Sequence, residues 1–178
     1  MNPIFVLNGT PGSGKTTLSK ELMQLFPLGI HIPVDNLREW VVSGLAGPLH
    51  WSDETTRQFR LAESAAASVA CRYQDAGFAV AIDHCQHLEH LDGMVEGYLS
   101  GRKVYKVLLL PSLDTALARN QTRTTKDFDY SILNDVITSL HADFTEQSVD
   151  CDWLFYSNRA KDPADDARAI ALALGLVG

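Results

Sequence analysis

Residues 9–16 read Gly9-Thr10-Pro11-Gly12-Ser13-Gly14-Lys15-Thr16, directly after the apolar run Pro3-Ile4-Phe5-Val6-Leu7-Asn8 and ahead of a stretch with Leu18, Leu22 and Leu25 at helical spacing. Glycine tolerates positive φ and has no Cβ to block the approach of a ligand. Gly9, Gly12 and Gly14 therefore let successive backbone N–H groups converge on an anion, and the helix that follows adds its positive N-terminal end. Lys15 can reach the outer phosphates of a nucleotide as a point charge, and the Thr16 hydroxyl is placed to ligate Mg²⁺; Thr17 belongs to the same phosphate-binding set. A chance glycine-rich match lacks the required context of strand before and helix after, and both are legible here. The reading is a loop that binds a nucleoside triphosphate, with ATP and Mg²⁺ as the expected cofactors.

Outward from this loop, short apolar runs alternate with longer helical stretches. Strands are expected at 3–7, 30–34, 78–82, 104–110 and 152–156. Helices are expected at 15–26, 36–42 with Asn36 as cap, 53–74 with Ser52 as cap, 88–100, 112–123, 130–147, and from Pro163 onward. Strands apolar on both faces, alternating with helices, imply a five-stranded parallel sheet covered on both sides. That is the three-layer α/β/α P-loop NTPase fold, read as one domain over 1–178 with a helical lid at roughly 119–128. Ligands of such sheets bind outside the carboxyl ends of the strands, so the polar residues just after each strand are the ones to read.

Composition narrows the partners. Lys and Arg number 15 against 22 Asp and Glu, a net charge of −7, which argues against a nucleic-acid partner. No apolar run approaches the roughly 18 residues a membrane span needs, and no signal peptide is expected because Asn8 and Gly9 interrupt the first apolar run. Three widely spaced cysteines, Cys71, Cys85 and Cys151, fit a reducing cytoplasm rather than a disulfide framework.

Two carboxylates follow strands. Asp83 closes Phe78-Ala79-Val80-Ala81-Ile82, a run that looks like a Walker B strand, and is read as holding Mg²⁺ through a bound water; the alternative is a cap on the next helix. Asp35, at the end of the second strand, is read as accepting a proton from an acceptor hydroxyl, the alternative being help for Asn36 in capping. Arg119 and Arg123 share a helical face ahead of the polar stretch Thr124-Thr125-Lys126-Asp127; they are read as lid cations aimed at the transferred group, or else as a solvated face. Arg38, Arg57 and Arg60 lie where an acceptor would bind, and either meet an anionic substrate or pair with Glu39, Glu54 and Glu63. His84, His87 and His90 offer no obvious fourth ligand for zinc, so the position after strand three suits contact with substrate or metal-bound water better. Trp40, Trp51 and Trp153 are expected in the core or a pocket wall.

Together these residues resemble the small P-loop kinases of the shikimate, gluconate and adenylate kinase types, and most closely chloramphenicol phosphotransferase and its relatives. The segment Pro33-Val34-Asp35-Asn36-Leu37 is similar to the one that carries the catalytic aspartate in that group, and Val149-Asp150-Cys151-Asp152-Trp153-Leu154 to its approach to the last strand. The resemblance implies transfer of the γ-phosphoryl group of ATP to a hydroxyl of a sugar, nucleoside or antibiotic-like molecule, with Asp35 as base. It places the adenine near Arg119 and the loop at Asn158 and Arg159. The second aspartate of the shikimate kinase pattern is missing from strand two, which speaks against shikimate. Two other functions fit the same sequence: a nucleoside monophosphate kinase, and a nucleotide-dependent switch with no acceptor.

Overall fold

A computed structural model describes residues 2–47, 51–122, 130–147, 152–157 and 162–176, without the side chains of residues 130 and 131. The strands are β1 (Ile4–Gly9), β2 (Gly29–Pro33), β3 (Ala79–Asp83), β4 (Val104–Leu109) and β5 (Leu154–Tyr156). The helices are α1 (Lys15–Gln24), α2 (Val34–Glu39), α3 (Asp53–Asp75), α4 (Leu88–Tyr98), α5 (Leu113–Gln121), α6 (Asn134–Gln147) and α7 (Pro163–Ala173), with a 3₁₀ turn at Tyr130–Leu133 before α6. All strand pairs are parallel, in the order β2-β3-β1-β4-β5, so β1 is central and delivers its loop to the middle of the sheet.

Period-two alternation divides the core into two layers. Ile4, Val6, Val80, Ile82 and Leu108 face α3, α4 and α6; Phe5, Leu7, Ala79, Ala81, Val107 and Leu109 face α1 and α7. Each large aliphatic side chain buried in this way stabilises the fold by about 1.5–3 kcal/mol. The expected three-layer α/β/α architecture is present. Alanines at 62, 66, 67 and 70 let α3 lie close on the sheet, and Ser52 caps it as expected, with Thr55 N–H donating to Ser52 Oγ at 3.1 Å. Among the described residues no helix is long and apolar enough to cross a membrane.

Several boundaries differ from the sequence reading, and one matters. Asn36 does not cap the helix after β2; Pro33 does, with φ −77° and ψ 119°. The proline ring holds an extended φ at the last residue of β2, and the chain turns into helix immediately behind it. Asp35 therefore sits in the first turn of α2 rather than at a strand end, and α2 stops at Glu39, short of Val42. β1 runs on through Asn8 and Gly9, which pair with Leu108 and Leu109 of β4. Trp153 is core at 4% exposure, whereas Trp40 and Trp51 stand on the surface.

Candidate functional site

The phosphate-binding loop leaves β1 at the carboxyl edge of the sheet and enters α1. Gly9 has φ +151°, and a Cβ there would lie 2.6 Å from the Leu109 carbonyl oxygen and 2.7 Å from Ser13 Oγ. Gly12 has φ +80°, and a Cβ there would collide with the Ala116 carbonyl oxygen of α5. The loop is thus seated against the end of β4 and against α5, and both contacts demand glycine. Gly12→Ala is expected to lower stability by more than ~1 kcal/mol, read as a fall in the urea midpoint; an unchanged midpoint would mean the loop is not clamped on α5. Thr10 and Ser13 are buried, Pro11 is half-buried, and Thr16 and Thr17 are exposed at the start of α1. Gly14 is the N-cap, and no side chain caps the helix, so its first N–H groups stay open to an anion. Lys15 curls back over the loop, its Nζ donating to the carbonyls of Gly9 at 2.8 Å and Thr10 at 3.1 Å.

Asp83 ends β3 beside this loop, in register with Leu7 of β1 and Pro33 of β2. The Thr16 hydroxyl donates to Asp83 Oδ2 at 2.7 Å, and His31 Nε2 lies 3.3 Å from the same oxygen. Burial alone pushes the Asp83 carboxyl up, but the His31 hydrogen bond, the Lys15 charge and the Thr16 hydroxyl outweigh it and hold the carboxyl below its ordinary value. The helix-cap alternative for Asp83 does not hold, because His87 is the N-cap of α4. A hydroxyl and an ionised carboxylate side by side form a hard-oxygen donor pair that fits Mg²⁺, which keeps much of its water and takes few protein ligands.

The arginines separate. Arg38, one turn after Asp35 on α2, is buried, donates from Nη2 to the Ala46 carbonyl at 2.6 Å and lies 3.7 Å over the Phe59 ring. Its burial lowers its pKa against the raising effect of Asp35 and Glu39. Arg57 is paired with Glu54 through Nε at 2.7 Å and Nη2 at 2.8 Å. Arg60 is exposed and, with Arg57, lines a shallow groove against Tyr98 of α4. Arg119 of α5 reaches the loop, with Nη1 3.4 Å from the Ser13 carbonyl. Arg123, Asn158, Arg159 and the lid beyond residue 122 lie outside the described residues.

Sequence reasoning overlooked three groups. Asn8 is buried and ties the loop to the segment after β3: its Nδ2 donates to the Gln86 carbonyl at 2.7 Å, and its Oδ1 accepts from the N–H groups of Gly9 at 2.8 Å and Gln86 at 3.2 Å. An Asn placed just before the glycine loop was the only available signal. His31 is the second partner of Asp83. Glu63, buried on α3, lies 2.9 Å from both His84 Nε2 and His90 Nε2, so it serves the histidines and not Arg60. Burial pushes the Glu63 carboxyl up, and the bonds from His84 and His90 outweigh it and hold the carboxyl low. His87 is exposed, with Nδ1 3.8 Å from Asp143 Oδ2.

The chain can be set beside known proteins on this basis. The model of the AAA domain family matches residues 4–146. No curated protein matches the chain in sequence. Among solved structures, an unliganded sugar kinase from a Janibacter species is 18% identical with a TM-score of 0.69, covering 99% of this chain and 96% of its own. The tunicamycin resistance protein of Deinococcus radiodurans is 14% identical with a TM-score of 0.69, covering 99% and 98%. A shikimate kinase from Bacteroides thetaiotaomicron is 19% identical with a TM-score of 0.68, covering 98% and 99%. At these identities the likeness is one of fold.

Proposed function

The chain belongs to the AAA domain family, and from that premise we propose that it is an ATP- and Mg²⁺-dependent phosphotransferase that moves the γ-phosphoryl group to a hydroxyl of a small molecule. The observation that carries this reading is the 2.7 Å bond between Thr16 and Asp83 beside a loop that Lys15 spans. Thr16 and Asp83 would hold the metal, which when bound offsets charge on the phosphate oxygens. Lys15 exchanges the Gly9 and Thr10 carbonyls for the outer phosphates, and the backbone of residues 9–17 cradles them. The acceptor oxygen bonds to the γ-phosphorus as the bond to the ADP oxygen breaks, and the acceptor proton passes to Asp35. Arg119, held at Ser13, brings a cation to the transferred group; Arg123 would join it from the lid, and Asn158 and Arg159 would flank the adenine.

A neutral hydroxyl acceptor is favoured over a nucleoside monophosphate. Arg38 is committed to Ala46 and Phe59 and Arg57 to Glu54, so two of the three cations a phosphorylated acceptor would need are engaged elsewhere. The fold shared with proteins named as sugar and shikimate kinases, and the resemblance of the Asp35 segment to chloramphenicol phosphotransferases, point the same way. The test is ATP consumption with Mg²⁺ against a panel of sugars, other alcohols, nucleosides and nucleoside monophosphates. Stimulation by a hydroxyl compound supports the reading. Stimulation by monophosphates alone would make the protein a nucleotide kinase, and tight ATP binding with no stimulation would make it a switch. Asp35→Asn is expected to cut turnover about a hundredfold at unchanged ATP affinity, the low end for a general base because a loose transition state draws the proton late. Full activity in that variant would remove Asp35 from the mechanism.

A further inference from the structure

A stack of side chains leads from the proposed reaction centre to an open aromatic face. Arg38, one turn from Asp35, lies over the Phe59 ring, and Phe59 lies 5.9 Å from the ring of His84, the residue after Asp83. Trp51 then stacks on Phe59 with ring centroids 5.2 Å apart and planes 9° from parallel. Trp51 is 56% exposed, yet its indole is fixed: Nε1 donates to Thr56 Oγ1 at 2.9 Å and one side of the ring is engaged by Phe59. Exposing a tryptophan while holding it in one orientation forgoes burial, and it leaves a rigid surface on which a ligand ring loses little further freedom.

The surroundings of that surface are apolar. Trp40, Val42, Leu45 and Trp51 are all large, exposed hydrophobics within residues 40–51, and such clustering on a folded surface marks a binding region. The chain around Leu45 is fastened to α3 next to Phe59, with Gln58 Nε2 donating to the Gly44 carbonyl at 2.8 Å and the Ala46 N–H donating to Gln58 Oε1 at 3.0 Å. The nearest cation, Arg38, already has its guanidinium face on Phe59 and Nη2 on Ala46, so the stack presents a ring face and no charge.

We propose that the acceptor is an uncharged alcohol bearing an aromatic ring, and that this ring stacks on the open side of Trp51 while the hydroxyl is presented to Asp35. The inference rests on the phosphotransferase reading and adds the acceptor class to it. A sugar would call for hydrogen-bonding side chains around the platform, where this chain places Val42, Leu45 and Trp40.

The test compares wild type, Trp51→Ala and Trp51→Phe with Mg²⁺ and ATP on phenyl-substituted diols, nucleosides and hexoses. Wild type is expected to turn over an aromatic alcohol with tryptophan quenching on binding. Trp51→Ala should raise KM for that alcohol about tenfold, in line with loss of one aromatic stacking partner, with little change in kcat or in KM for ATP, and should lose the quenching. Trp51→Phe should recover most of the affinity. Phosphorylation of hexoses by wild type and Trp51→Ala alike would overturn the inference and leave the phosphotransferase reading standing. Equal losses in kcat, ATP affinity and acceptor affinity in Trp51→Ala would also overturn it, since they report general damage. Absence of stimulation by every alcohol, with ATP still bound, would overturn the phosphotransferase reading itself and this inference with it.

Discussion

Lys15→Met is expected to lower acceptor-dependent turnover about a thousandfold without unfolding the protein. Phosphoryl transfer leaves little covalent chemistry to the protein, so its rate rests on positioning and on charges aimed at the phosphates. Loss of one preorganised donor typically costs about 10²–10³ in kcat, and a full ammonium charge belongs at the upper end, about 4 kcal/mol of barrier. Methionine keeps an unbranched stem of similar reach and removes only the charge and its donors. The Gly9 and Thr10 carbonyls that now accept from Nζ sit at a half-exposed position, where water can replace the amine, so stability should change by less than about 1 kcal/mol. Steady-state kinetics, calorimetric ATP binding and the thermal midpoint read these separately. Lys15→Arg should not rescue turnover, because a planar fork cannot occupy the point-charge position between two carbonyls. A loss of only a few-fold with an intact midpoint would show that Lys15 does not meet the transferred group.

What was legible in the sequence was mostly local. The glycines of residues 9–14, the helix behind them and the Ser52 cap depend on neighbours within a few positions, and each formed as read. Thr16 and Asp83 are 67 residues apart, yet both follow strands, and the rule that ligand groups gather at the carboxyl ends of a parallel sheet was enough to bring them together. Asp35 shows where locality misled: Asn36 looks like a cap, but Pro33 fixes the turn three residues earlier, so the carboxylate is on a helix. Arg57 chose Glu54, its i,i+3 neighbour, as pattern alone allows. Glu63 had a neighbour in Arg60 as well, and instead took His84 and His90, 21 and 27 residues away. The reason is burial: Glu63 faces the sheet while Arg60 faces solvent, and no periodicity argument reveals which polar groups will share an interior. Asn8 was hidden for the same reason, since its partner Gln86 is supplied by another strand's loop.

That buried cluster carries the largest expected effect on stability. Glu63→Ala should destabilise the protein by on the order of 3 kcal/mol, because it strips the partner from His84 Nε2 on a side chain that is 1% exposed and leaves a void beneath α3. His84 Nδ1 already has no hydrogen-bond partner, so the ring would then be buried with neither nitrogen satisfied. His90, 32% exposed, can turn to water and should contribute little to the loss. Glu63→Gln keeps the shape and one acceptor oxygen and should cost about 1 kcal/mol. The pH dependence follows from the low folded pKa of Glu63. A depressed carboxyl binds fewer protons folded than unfolded, so its stabilisation is full above its ordinary value of 4.5 and is lost as pH falls from there through the folded pKa. Urea titrations should therefore show the gap between wild type and Glu63→Ala narrowing on acidification below 4.5 and constant above it, at an unchanged m-value. A Glu63→Ala midpoint equal to that of wild type at neutral pH would mean that the carboxylate is not what holds α3 and α4 to the end of β3.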